Sequence, residues 1–175
     1  MSINLLRLLI EKIRLEILVL QIQLQIKLFK EKLTVPNLPK PKHIIIHHSA
    51  GVWSFEQVNN SHKNKWGFRS SLGYYMGYHY WIDDNGDIIQ TRSDNEQGAH
   101  TVEQGNPGYW NKNSVGICLR GDMTQRKPTY AQLDSLKKLV EELSKKYNIP
   151  KSEIFGHQEI SPTLCPGCLM ECIKS

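Results

Sequence analysis

His157 and Cys165 lie eight residues apart within Gly156 to Gly167, GHQEISPTLCPG, and between them offer an imidazole nitrogen and a thiolate. Both donors suit a borderline-soft cation such as zinc. Pro162 and Pro166 prevent the interval from running as a helix, so a loop must bring the two side chains together. Two donors leave such a site one ligand short, and the third must come from elsewhere in the chain. Taken alone, the pair has a plainer reading as a surface histidine and a buried thiol acting as a small hydrophobe.

The chain has 175 residues, enough for one well-buried domain and an appendage. Its net charge of +5 is unevenly spread: residues 1–42 hold eight Lys and Arg against three Asp and Glu, and the remainder balances at fourteen of each. The basicity therefore belongs to the N-terminal segment, and the domain lacks the basic stripe expected of a nucleic-acid binder. Attraction to an anionic surface, membrane or cell wall, stays open. Cys118, Cys165, Cys168 and Cys172 do not make a disulfide scaffold in a chain this long. For the tail CPGCLMEC the alternatives are a structural zinc knot or a redox pair. A fourth ligand would close the metal to water, however, and no thioredoxin-like strand precedes the motif. Cys168 and Cys172 would share one face of a final helix, and Cys118 reads as core.

Residues 3–33 contain neither Gly nor Pro and are rich in Leu, Ile, Lys, Glu and Gln, a helix-forming composition. Two apolar stripes emerge at helical spacing. Leu6, Ile10, Ile13, Ile17, Leu20 and Leu24 form one; Leu15, Leu18, Ile22, Ile26, Phe29 and Leu33 form the other, on the opposite side. A strand is the rival reading, because Leu20 to Leu28 alternates apolar with polar, but the near absence of Val, Thr and aromatics favours helix. Arg7, Glu11, Lys12, Arg14 and Glu16 interrupt any membrane span. Membrane contact is not favoured, since a surface-lying helix carries one apolar face. We therefore expect a helical arm at 1–34 that oligomerises or docks, a proline-rich linker at 35–42 (VPNLPKPK), and a domain from 43 to 175. The N-terminus has no basic run before an unbroken apolar core and no small-residue cleavage site, so no secretory signal is expected.

Ile44 to Ile46 reads as a buried strand that delivers His47 and His48 at its end. Ser54 with Gln57, and Thr129 with Gln132, open two capped helices. Gly77 to Ile82 and Asp87 to Thr91 read as strands joined around Asn85 and Gly86, and Ser114 to Leu119 as another strand. This mixture predicts an α/β domain with a mixed central β-sheet flanked by helices and preceded by a long N-terminal helix.

The motifs IIIHHSA (44–50), GYHYWI (77–82), GAH (98–100), NSVGICLRG (113–121) and GHQEISPTLCPG (156–167) occur in the order found in the zinc-dependent N-acetylmuramoyl-L-alanine amidases, and the chain resembles that family. Its fold is shared with peptidoglycan recognition proteins and phage lysins. The resemblance implies a Zn2+ cofactor held by His47, His157 and Cys165, a catalytic Tyr78, and Thr163 where active members carry Lys or Thr. His48 faces the other way on the strand and is not a ligand. His79 should face away from Tyr78, whereas Tyr80 would share its face and could line the site. Glu159, at the same strand parity as His157, is the carboxylate expected to shuttle a proton or support a ligand. His100, in its Gly-Ala-His turn, is expected to touch substrate. The insertion GFRSSLGYYM before Tyr78 would make a lid or groove wall.

Three protein ligands would leave zinc an open fourth position for an activated water, and the resemblance implies that its target is the bond between N-acetylmuramic acid and L-alanine in peptidoglycan. The alternative is a non-catalytic peptidoglycan-binding module of the same fold. Synthesis in the cytoplasm and action at the cell wall follow, either as a lysin released on lysis or as a remodelling enzyme.

Overall fold

Three consecutive isoleucines leave a strand no polar face, and the strand they form is paired on both edges. β1 (His43–His48) lies between β4 (Ser114–Leu119) and β5 (Ile154–Gly156), parallel to both. β2 (Tyr80–Ile82) continues parallel beyond β4, and β3 (Ile88–Gln90) closes that edge antiparallel, giving the order β3-β2-β4-β1-β5. The computed structural model describes residues 3–32, 40–102 and 108–174. The mixed sheet flanked by helices is as expected, and β5 is a strand that the sequence reading did not name. The linker, apart from residues 40–42, falls outside the described residues.

Alternation along β1 and β4 sends side chains to two cores. Ile44, Ile46, Ile117 and Leu119 pack with Leu136, Val140 and Leu143 of α4 (Tyr130–Tyr147) and with Leu169 of α5 (Leu169–Lys174). Cys118 and Trp81 face the opposite side, where Phe55 and Val58 of α2 (Phe55–Trp66) cover them. Both capping boxes form: Ser54 Oγ accepts from Gln57 N–H, and Thr129 Oγ1 from Gln132 N–H. A short α3 (Tyr109–Asn113) leads directly into β4.

The hairpin forms around Asn85 and Gly86, the latter at φ +86°. Its strands are shorter than the sequence suggests. His79 O accepts from both Thr91 N–H and Arg92 N–H, and Thr91 Oγ1 donates to Tyr78 O, so the chain bends before Tyr80 instead of continuing the ladder.

The chain divides into two compact units, Met1–Leu38 and Pro39–Ser175. The first contains α1 (Ile3–Lys32), a single helix. Its described apolar side chains from Leu5 to Ile26 are between 42 and 68 % exposed. Among the described residues, no helix is long and apolar enough to cross a membrane.

The insertion before Tyr78 is pinned from below. Buried Arg92 donates from Nε to Met76 O, from Nη1 to Gln97 O and from Nη2 to Phe68 O. Arg92→Met would leave those carbonyls without their donor and should cost about 3 kcal/mol. Denaturant unfolding measures this, and a loss below about 1 kcal/mol would show that the loop is held otherwise.

Candidate functional site

Parallel pairing puts the chain ends of β1, β4 and β5 at one edge of the sheet. Ile46 is opposite Gly156, so the next residues of the two strands, His47 and His157, emerge side by side with ring centroids 4.5 Å apart. The loop after His157 then returns. Gln158 N–H donates to Cys165 O, and His48 N–H points at Cys165 Sγ at 3.3 Å. Sγ lies 3.8 Å from His47 Nδ1, and the three residues offer donor atoms within 4.8 Å of one another. Two nitrogens and a sulfur at these distances suit zinc. His157 Nε2 is moreover buried with no hydrogen-bond partner, a condition that buried polar groups seldom tolerate without a ligand or ion.

Burial, reinforced by His100 and His157, holds His47 well below the ordinary imidazole range. Burial, with His48 beside it, lowers His157 as well. Both rings are therefore neutral and hold lone pairs. Burial pushes the Cys165 thiol up to about 12, against the opposing pull of the His48 N–H, so without a cation it keeps its proton.

Tyr78 stands over this cluster, its ring 5.1 Å from that of His47. Burial, then the neighbouring Cys118 and Cys165, hold its hydroxyl well above the usual phenol range, and it remains a donor at neutral pH. Cys118 pairs across the sheet with His47 and packs with Met76 and Trp81. His48 faces the opposite layer, where its Nδ1 accepts from Met123 N–H. Cys168 packs against the α4 core, and neither it nor Cys172 joins the metal-type cluster.

A cleft of about 880 Å³ opens from Tyr78 along α2, lined by Trp53, Asn60, His62 and Lys65 among others. His62 is a residue to which sequence reasoning gave no role in the site, although it shares a helix face with Trp66. Its Nδ1 accepts from Gly77 N–H, so its other nitrogen carries the proton. Burial, then Lys65 and Arg92, hold its pKa down to about 4.

Four expectations need correction. Tyr80 does not share a face with Tyr78, because the bend at 77–79 breaks the alternation; its hydroxyl donates to Asp94 on the other side of the sheet. His100, expected to touch substrate, is not among the cleft's lining residues; it is only 7 % exposed, with Nδ1 3.0 Å from His47 Nε2. Glu159 does not follow strand parity, since His157–Glu159 is a 3₁₀ turn; its Oε2 accepts from Gly156 N–H. The 67–76 insertion does not line the cleft but braces the chain beneath Tyr78. Thr163 is exposed, and its Oγ1 accepts from Cys165 N–H.

A mixed sheet that brings two imidazoles and a thiol together beneath a phenol defines a class of α/β domain whose donor cluster could hold a metal ion. The family model for N-acetylmuramoyl-L-alanine amidase matches residues 37–168, and the chain belongs to that family. It is 30 % identical over 133 residues to peptidoglycan-recognition protein SD of Drosophila melanogaster, covering 74 % of this chain and 68 % of that one. Among solved structures, the amidase LysC from Clostridium intestinale superposes with a TM-score of 0.64 at 28 % identity, covering 77 % and 83 % of the two chains. Drosophila PGRP-LB gives 0.63 at 29 %, covering 79 % and 82 %.

Because both imidazoles are already neutral, loading zinc must release one proton, that of Cys165. Zinc affinity should therefore rise about tenfold per pH unit between roughly pH 6.5 and 8.5. Calorimetry in buffers of different ionisation enthalpy should count at least one proton per zinc, with any excess above one coming from a zinc-bound water. A pH-independent affinity would exclude Cys165 as a ligand.

Proposed function

We propose that the protein is a zinc-dependent amidase that hydrolyses the bond between the lactyl carbonyl of N-acetylmuramic acid and L-alanine in peptidoglycan. The observation that carries this reading is the convergence of His47, His157 and Cys165 beside the ring of Tyr78, which also lines the cleft. Family membership supports it, as does a structure similar to this chain at a TM-score of 0.59 (28 % identity), a Drosophila PGRP-LB variant in complex with tracheal cytotoxin.

His47, His157 and Cys165 would hold the zinc, which when bound activates water and polarises the scissile carbonyl. Tyr78 donates its proton in a hydrogen bond to the oxygen that becomes negative as the carbonyl turns tetrahedral. Thr163, whose oxygen already accepts from Cys165 N–H, keeps its own hydrogen free to donate to substrate. Glu159 acts by capping the turn that presents His157. The Nε2–H of His62 and the ammonium of Lys65 give the cleft wall a neutral and a charged donor for sugar and peptide oxygens.

Catalysis is favoured over binding alone by the complete donor set. The site of action is the cell wall. The N-terminal helix is read as a self-association arm because its described apolar side chains are exposed along both stripes.

Digestion of purified peptidoglycan should release L-alanine amines without new reducing ends, and chelation should abolish it; reducing ends alone would exclude an amidase. Cys165→Ser should lose cleavage and keep wall binding, and Tyr78→Phe should lower kcat about 10²- to 10³-fold. Sedimentation of the full chain should show an oligomer that Ile13→Lys with Leu20→Lys converts to monomer. A wild-type monomer at working concentration would remove the arm's role.

A further inference from the structure

His47 has a second ring nitrogen, and its partner is unusual. Nδ1 faces Cys165, while Nε2 lies 3.0 Å from Nδ1 of His100, so one proton must sit between two imidazoles. Which ring carries it can be traced outward. Nε2 of His100 approaches Ser114 Oγ at 3.5 Å, and Ser114 spends its own hydrogen on Trp110 O at 2.5 Å. Ser114 Oγ can therefore only accept, His100 is protonated at Nε2, and its Nδ1 is a lone pair. The proton between the rings then belongs to His47 Nε2, which leaves His47 Nδ1 as the lone pair turned toward Cys165.

The slot that holds His100 has little freedom. A Cβ on Gly98 would lie 2.5 Å from His100 Cδ2, and one on Gly116 would lie 2.7 Å from Cδ2 and Cγ. Asn111 Oδ1 accepts from His100 N–H and Thr101 N–H, and Asn111 Nδ2 donates to Thr101 O. Neighbouring His79 offers no competing proton, since Gly116 N–H donates to its Nδ1 and its Nε2 donates to Glu96 O.

We propose that His100 is a positioning residue for the metal centre: its Nδ1 selects the tautomer and ring orientation of His47 that offer Nδ1 to a cation. This rests on the zinc reading of His47, His157 and Cys165. Metal-bound histidines usually hand their second N–H to a carboxylate, a carbonyl or water. A neutral imidazole in that place orients the ligand without adding negative charge, so a centre with a single thiolate keeps more of the cation's positive charge for the substrate carbonyl.

The test compares wild type, His100→Ala, His100→Asn and Gly116→Ala in zinc affinity, by competition with a chromophoric chelator, and in the visible spectrum of the Co2+-loaded protein. His100→Ala should lose roughly 10- to 100-fold in zinc affinity and shift the Co2+ bands. Gly116→Ala, which pushes the His100 ring with every ligand intact, should do the same. His100→Asn, which returns an acceptor, should recover part of the loss. Wild type that binds zinc, with affinity and spectrum unchanged in His100→Ala, would overturn the positioning role alone. Wild type that binds no zinc would overturn the metal reading and this one with it. Nitrogen NMR of the metal-free wild type gives an answer that depends on no variant: both His47 and His100 should be Nε2–H tautomers, and a His47 protonated at Nδ1 would refute the assignment.

Discussion

An imidazole buried at the end of a central strand must satisfy two nitrogens at once, and much of this domain is arranged around how His47 does so. One nitrogen turns to Cys165 and the other to His100. The first contact requires the loop after β5 to fold back over the sheet edge. The second requires the Gly-Ala-His turn to sink against β4, where Gly116 leaves the room. Because His48 occupies the opposite parity, it can serve the other layer and still lend its backbone N–H to Cys165 Sγ. Two adjacent histidines thus support one site from two sides of a strand.

Electrostatics of the site are set chiefly by burial. Desolvation keeps His47 and His157 neutral, Tyr78 protonated and Cys165 a thiol, so the uncharged cluster is stable as a protein interior and poorly suited to hold an anion. A divalent cation reverses only one of these states, that of the thiol. The cleft along α2 is different in kind, with mostly exposed polar groups facing water. The buried cluster and the open cleft are thus neighbouring regions of different polarity that meet at Tyr78.

His157 and Cys165 were legible as a donor pair in one short loop, whereas His47 and Tyr78 were implied by the family resemblance, and each of the four stands at local punctuation. His47 ends an isoleucine run, His157 follows a glycine, Cys165 lies between prolines, and Tyr78 follows Gly77. Tyr80, His100 and Glu159 were misplaced for a common reason. Facing rules hold only where the backbone is regular, and these residues follow a bend, occupy a buried turn, or sit in a 3₁₀ turn. His100 carried one usable signal, a glycine two residues before it, but no local pattern says which ring will lie behind it.

By itself the sequence determined what depends on near neighbours: both capping boxes, the Asn85–Gly86 hairpin, the buried strand at Ile44 to Ile46, and the two-sided helix from Ile3 to Lys32. These follow from hydrogen bonds and periodicities only a few residues long. The resemblance implied that His47 and His157 meet, but only the tertiary structure showed the geometry of that meeting and put His100 behind His47. That geometry follows from strand register, Ile46 against Gly156 and His47 against Cys118. A one-residue slip in either pairing would turn every side chain of the moving strand to the other face. Register between parallel strands distant in sequence is set by the packing of both layers together, and no short stretch of the chain contains it.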